Sequence, residues 1–233
     1  DPVTRNMGLE ALTTKLERAD HDGLLPDVII PVDFAGLPCD LAEMRALADL
    51  YGFAILEDAS HATGGAYKGQ PVGSAYAEGA WAYEMIDLGW NYRLTDLQAA
   101  LGLSQLERMD EWREARQRLA DRYDARLADG PFKRPARFND RESAWHLYAI
   151  ELTDEAKASR SDVFAGLREA QIGVNVHYIP IHTQPYYQKR GFARGDFPNA
   201  IAYYERALSL PLFPAMTPNQ QSRVTDTLLR LVT

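Results

Sequence analysis

One cysteine, Cys39, stands in 233 residues, which excludes an internal disulfide and points to a compartment where thiols stay reduced; a cytoplasmic location is expected. No apolar run is long enough to cross a bilayer as a helix. Positive charge is scarce: 25 Lys and Arg face 33 Asp and Glu, for a net charge of −8, and no Lys/Arg run occurs. That balance excludes a sequence-blind grip on nucleic acid phosphates. G-x-G-x-x-G, a Walker loop and G-x-S-x-G are all missing, so the common nucleotide fingerprints and the serine-hydrolase elbow do not apply. There is no internal repeat and no low-complexity segment. The chain opens on Asp1-Pro2-Val3-Thr4, without an initiator methionine or a signal-peptide pattern, and its native start is expected upstream.

Hydrophobic residues make up 46%, enough for one substantial core, or one core with a smaller satellite. The clearest early unit, Val28 to Asp58, predicts strand, helix, strand. Val28-Ile29-Ile30-Pro31-Val32 is a short apolar run of the kind buried in a parallel sheet. Asp40 is placed to cap a helix, Glu43 completes an acidic capping box, and Leu41, Met44, Leu47, Ala48 and Tyr51 fall on one face. Gly52 supplies the left-handed stop. Phe53-Ala54-Ile55-Leu56 resumes the sheet and ends on Glu57-Asp58, at the strand end where open α/β sheets bind ligands.

Thr95 and Gln98 form a capping box ahead of one long helical pattern reaching about Ala128, closed by Gly130-Pro131; a helix of this length commonly joins two domains. Beyond it the pattern predicts a strand at Trp145 to Leu152, a helix from Ser161 to Gln171 ended by Gly173, and a strand at Val174 to Tyr178. A helix over Pro198 to Leu208 and a last one opened by Thr217-Pro218 complete the chain. The expected division is a large domain over 1–110, then an interdomain helix and small α+β domain over 111–233. Between Gly73 and Tyr92 neither period holds. Ser74 to Tyr83 joins two well-formed elements abruptly, and a stretch is expected to be missing there.

Asp58 and His61 stand three apart just past the buried strand. For an arbitrary Asp/His pair the bland account is a turn-capping carboxylate and a core imidazole. The strand-end position favours another account. A carboxylate there can pair with a protonated ring nitrogen, and a pyridine kept protonated is the electron sink of amine-transfer chemistry, with the imidazole stacked on or bonded to the ring. Metal binding is the rival for His61, with His146, His177 and His182 as further ligands. Only His177 and His182 lie close in sequence, with a proline between them, and no second Cys/His/Asp motif accompanies them, so no metal site is expected. Asn91, in Gly89-Trp90-Asn91-Tyr92-Arg93 ahead of the capped helix, serves equally as a left-handed turn residue or as an amide donor to a phosphate. The run Val174 to Tyr187 gathers two histidines, three tyrosines and a glutamine in proline-broken backbone. Such a run is more typical of a ligand-contacting loop than of packing.

Pro31 to Gly36 (PVDFAG), Glu57 to Ala62 (EDASHA), Gly89 to Gly102 (GWNYRLTDLQAALG), His177 to Tyr187 (HYIPIHTQPYY) and Ser209 to Pro214 (SLPLFP) span nearly the whole chain. In order and spacing they resemble the DegT/DnrJ/StrS family of sugar aminotransferases, pyridoxal-phosphate enzymes of the aspartate-aminotransferase fold type (fold type I). The resemblance implies an α/β three-layer large domain with a smaller C-terminal α+β domain. It implies Asp58 on the pyridinium nitrogen, His61 beside the ring near its phenolic oxygen, and Asn91 reaching the cofactor phosphate of the neighbouring subunit in a homodimer. His177, Tyr178, Ile179, Pro180 and His182 would line the site of a nucleotide-linked keto sugar, with glutamate as the amino donor. Within the family, the His177 to Tyr187 run followed by Gly195 to Ala200 (GDFPNA) is most similar to enzymes that aminate C4 of a UDP-linked 4-keto-6-deoxy-N-acetyl sugar on the route to pseudaminic acid.

Two features depart from that family. Its members carry an upstream segment with phosphate contacts and a ring-stacking aromatic, and later a serine-to-lysine motif whose lysine forms the Schiff base. Here Pro71-Val72-Gly73-Ser74 leads to Gly79-Ala80-Trp81 instead, and none of Lys15, Lys68, Lys133, Lys157 and Lys189 matches that motif. The catalytic lysine is therefore unassigned. The alternatives are a dehydratase of the same fold, where histidine replaces that lysine, and a catalytically inactive binding or regulatory fragment.

Overall fold

The computed structural model describes residues 1–73 and 95–233. The first helix, α1 (Leu9–Asp22), buries only Leu12 and Leu16, a stripe too short to register as a period, and Gly23 (φ 68°) ends it. The strand-helix-strand order follows as expected, β1 (Val28–Ile29), α2 (Leu41–Tyr51) and β2 (Ala54–Ile55), with the strands parallel and the register carried on by a bridge from Val32 to Asp58. The expected burial of the whole first run does not, since only Ile29 and Pro31 are buried while Val28, Ile30 and Val32 are exposed. Leu41, Met44 and Ala48 form the buried face of α2, and Gly52 (φ 79°) stops it. The cap of α2 departs from expectation, because Asp40 makes no side-chain cap bond. Its Oδ1 accepts from Arg141 Nη2 at 2.6 Å, and Glu43 accepts from Tyr67 OH at 2.7 Å and Lys68 Nζ at 2.9 Å. Donors from distant sequence, the Arg141 and Lys68 cations among them, win over the local backbone N–H. Tyr67 belongs to β3 (Ala66–Tyr67), which forms a hairpin with β4 (Gln70–Pro71).

The single long helix expected from Thr95 is in fact two, α3 (Asp96–Leu106) and α4 (Met109–Arg126). The capping box holds: Thr95 Oγ1 accepts from Gln98 N, and Gln98 Oε1 accepts from Thr95 N. The break falls at Glu107-Arg108, where Arg108 N turns to Gln105 O at 3.1 Å. α3 buries no residue, whereas α4 packs Leu119, Ala120 and Tyr123 inward. The chain bends where burial begins.

β5 (Phe132–Lys133) is followed by β6 (Arg141–Glu142), which pairs with β3, and by β7 (Tyr148–Leu152). β7 starts later than expected because Trp145 takes a left-handed conformation (φ 49°). α5 (Arg160–Glu169) is capped by Ser159, and its left-handed stop is Gln171 (φ 57°) in place of Gly173. The strand expected at Val174 to Tyr178 reduces to one bridge, Asn175 to Ser209. α6 (Pro185–Gln188) and α7 (Pro198–Arg206) follow. α7 ends short of Leu208 because Ala207 opens β8 (Ala207–Leu210), whose four residues are all buried. α8 (Pro218–Val232) carries the Thr217/Gln220 capping box and the leading proline.

β5, β7 and β8 form an antiparallel sheet, covered by α4, α5 and α8 through Tyr123, Ile150, Val163, Leu167, Leu208 and Leu228. The Tyr123 and Tyr148 rings stack at 4.8 Å inside it. A second cluster joins α1, α2 and the parallel pair through Leu16, Leu41 and Met44. The architecture is mixed α/β. Among the described residues no helix is long and apolar enough to cross a membrane.

Candidate active site

The two parallel strands run on past their paired residues. Asp58 N donates to Pro31 O at 2.8 Å and Asp33 N to Asp58 O at 3.1 Å, which sets both carboxyls at the C-terminal end of the pair, where open α/β sheets hold ligands. Strand alternation turns Asp33 inward, fully buried, and Asp58 outward. Asp58 Oδ1 accepts from Ser60 Oγ at 2.5 Å and Ser60 N at 3.1 Å, and these bonds hold its carboxyl below the usual range. It stays an anion. Beneath it, Asp33 Oδ1 accepts from Cys39 N at 2.9 Å, while Asp33 Oδ2 and Glu57 Oε1 are buried with no donor. Two ionised carboxylates have no proton to share. Burial, reinforced by the Asp33 charge, pushes Glu57 up to about 7, and burial raises Asp33 as well, so the pair keeps a proton to higher pH than free carboxyls do and gives it up around neutrality.

After Asp33 the chain turns sharply through Phe34-Ala35-Gly36. Gly36 has φ 95°, and a Cβ there would lie 3.0 Å from both His61 O and Trp145 N. Only glycine lets those two backbones close on the turn. The buried Asn6 pins the other side, donating to Leu37 O at 2.8 Å and accepting from Phe34 N at 3.0 Å. The closure brings His61 onto His146, the rings stacked at 4.2 Å and 16°, with the Phe34 ring 6.3 Å from His61. His61 Nδ1 is buried and has no partner. Burial, then the neighbouring His61 and Arg116, lowers the pKa of His146.

Phe34 also reaches the loop after α5: its ring stands edge-on to Tyr178 at 6.5 Å and to Tyr203 at 6.0 Å. His177, Tyr178, Ile179 and Pro180 line a cavity of about 730 Å³ together with Phe34 and Tyr203. Asn175 Oδ1 accepts from Val176 N at 2.8 Å, which turns its amide toward His177 Nε2 at 3.3 Å; His177 Nδ1 therefore carries the proton and donates to Ser209 Oγ at 2.8 Å. Burial and His61 lower its pKa, so the ring stands as a neutral wall of the cavity. Tyr203 OH is buried without a partner, and burial pushes its pKa up to about 12. It remains a free phenol donor.

His182 lies elsewhere. It is buried behind the loop, donating from Nε2 to Arg194 O at 3.2 Å and packed on Phe197 at 4.8 Å, and it does not line the cavity. Asn91 falls outside the described residues. Among the described residues, no group of three or more His, Cys, Asp or Glu is placed to hold a metal ion. Lys68 turns away to Glu43. Phe34, Tyr203 and Arg116 enter the site without having been singled out for it, and His146, weighed only as a metal ligand, enters it as the ring stacked on His61. Phe34 had a signal, its position at the end of the first apolar run; the other three are joined only by contacts across the fold.

The model of the DegT/DnrJ/EryC1/StrS aminotransferase family matches residues 1–80 and 75–229, two stretches that overlap over 75–80. Spore coat polysaccharide biosynthesis protein SpsC of Bacillus subtilis (strain 168) is 34% identical, over 100% of this chain and 70% of its own length. That alignment runs over 286 positions against the 233 residues here. A DegT DnrJ EryC1 StrS aminotransferase from Brucella abortus superposes with a TM-score of 0.83 at 26% identity, covering 100% of this chain and 72% of that one. Helicobacter pylori PseC, described as an aminotransferase involved in the biosynthesis of pseudoaminic acid, shares the fold with a TM-score of 0.80 at 22% identity, over 97% and 71% of the two chains. Structures of this fold include one in the pyridoxamine-phosphate form. A pyridoxal ring fits what the described residues offer, an anionic Asp58 at a strand end and a buried His61 Nδ1 that lacks a partner. With the fold type I architecture, the sugar-aminotransferase activity and the pyridoxal-phosphate cofactor thus in agreement, the chain belongs to the DegT/DnrJ/EryC1/StrS aminotransferase family.

Proposed function

We propose that this protein moves the amino group of glutamate to C4 of a nucleotide-linked 4-keto-6-deoxy sugar, UDP-linked and N-acetylated, on the route to pseudaminic acid. The observation that carries the reading is the 177–180 segment lining one cavity with Phe34, whose ring touches His61 beside Asp58. The similarity of HYIPIHTQPYY and GDFPNA to the pseudaminic branch, and a fold shared with PseC, support the choice of sugar.

The cofactor, when bound, supplies the electron sink through which an amine and a carbonyl exchange. Asp58, held anionic by Ser60, would keep the pyridine nitrogen protonated, and His61 would sit beside the ring near its phenolic oxygen. His177, Tyr178, Ile179 and Pro180 form the sugar wall, with His182 bracing the loop from behind. Asn91 reaches the phosphate site of a second copy, so the working unit is a cytoplasmic homodimer, with residues 1–110 serving the cofactor and 111–233 carrying the small domain.

The test incubates glutamate with a UDP-linked 4-keto-6-deoxy-N-acetyl sugar and the protein or its Asp58→Asn variant, with sedimentation of the same samples. A dimer forming the 4-amino sugar is expected, with turnover lowered roughly 10- to 100-fold in Asp58→Asn, the worth of one charged hydrogen bond. Unchanged turnover in that variant removes Asp58 from the site. Rapid exchange between ordinary 2-oxo acids with no sugar product refutes the substrate, a deoxygenated sugar without amine marks the dehydratase alternative, and a fully active monomer ends the role given to Asn91.

A further inference from the structure

His61 lines a second cavity, distinct from the one that the 177–180 segment lines with Phe34. The smaller, of about 230 Å³, is enclosed by Ser60, His61, His146 and the α4 residues Trp112, Arg113 and Arg116. It lies below the ~300 to 1,000 Å³ of pockets for drug-sized ligands and suits a small organic acid. Its charge is one-sided. Two guanidiniums and two imidazoles line it and no carboxylate does, in a chain whose net charge is −8.

Arg113 is already paired with Glu142 at 2.6 Å. Arg116 has no such partner. Its Nη1 donates to the carbonyls of Trp145 at 2.8 Å and Leu212 at 3.4 Å, which aim the side chain. Nε and Nη2, the side-on pair of donors, have no partner among the described residues. The guanidinium is half-buried, and burial alone lowers its pKa. A partly desolvated cation, aimed by backbone carbonyls and keeping its bidentate edge open, is built to receive a carboxylate.

Resting on the aminotransferase reading above, we propose that this cavity takes a carboxylate of the amino donor, a small dicarboxylic amino acid, with Arg116 as its anchor and His146 beside it. A carboxylate on Arg116 also favours the protonated form of the neighbouring His146 imidazole, so occupancy raises its titration midpoint.

The probe is glutarate, which has both carboxylates and no reactive amine. It is titrated into the protein by calorimetry and followed by the His146 imidazole NMR signal, assigned by its loss in His146→Gln; pyridoxamine phosphate binding is measured alongside. Glutarate is expected to bind and raise the His146 midpoint. Arg116→Met should weaken it by about tenfold or more, and Arg116→Lys, which keeps the charge but not the side-on pair, should recover only part, with pyridoxamine phosphate binding unchanged in both. No glutarate binding to the wild type, wild-type affinity in Arg116→Lys, or equal affinity for acetate and inorganic phosphate overturns the assignment. Because Arg116 also ties Trp145 to Leu212, Arg116→Lys alone decides if Arg116→Met fails to fold. Failure of the wild type to bind pyridoxamine phosphate counts against the aminotransferase reading instead, so the two failures stay distinct.

Discussion

Glu57→Gln probes the buried carboxyl pair that underlies Asp58. In the folded protein Glu57 is raised to about 7 by burial and then by Asp33, from an ordinary value of 4.5. Between those two values the folded state keeps a proton that the unfolded chain has lost, so stability falls as pH rises through that window. Solvent on the open side of Glu57 screens part of the effect, leaving on the order of 1 to 2 kcal/mol of destabilisation fully developed by pH 8. Glutamine keeps the shape and donates an amide hydrogen to Asp33 Oδ2 without burying a second charge. The variant should therefore be about 1 to 2 kcal/mol more stable than the wild type at pH 8, with the gain vanishing near pH 5. His146 and His177, whose pKa values are lowered, act in the opposite direction. They contribute equally to both proteins and cancel in the difference. Asp58 is lowered from 3.8, so its contribution is present at higher pH and lost only as pH falls below that range, outside the window. Urea unfolding followed by circular dichroism at pH 5, 6, 7 and 8 gives the comparison. A variant less stable at pH 8, or a difference independent of pH, refutes the shared proton.

Gly36→Ala forces a side chain into left-handed backbone against His61 O and Trp145 N, and should cost about 1 to 3 kcal/mol while separating the His61 and His146 rings; unchanged imidazole NMR signals would show that the turn does not hold them. Thr217→Ala removes the cap of α8 and should lower stability by about 1 kcal/mol, with a urea midpoint equal to the wild type as the contrary result.

The local signals were legible wherever a structure depends on residues within about four positions of one another. The Thr95/Gln98 and Thr217/Gln220 capping boxes, the Gly52 stop and the parallel strand-helix-strand order all stand as the sequence implies. The same logic failed where a distant residue competed for a local group. Arg141 took Asp40, Tyr67 and Lys68 took Glu43, and β8 took the end of α7. The bend between α3 and α4 has no glycine or proline to mark it; it reflects which side of the chain has a core to meet.

The site divides in the same way. Sequence by itself determined the family and the strand-end position of Asp58, because motif order and alternation are properties of the chain read in one dimension. Only the tertiary structure decided that His61 meets His146, that Phe34 joins His61 to the 177–180 loop, and that His182 turns away from the cavity. It alone set Arg116 beside those rings with its side-on donors open. These are contacts between residues a dozen or more positions apart, and no periodicity records them; the meeting of His61 with His146 rests on Gly36, which lets the two backbones close to within a distance that a Cβ would forbid.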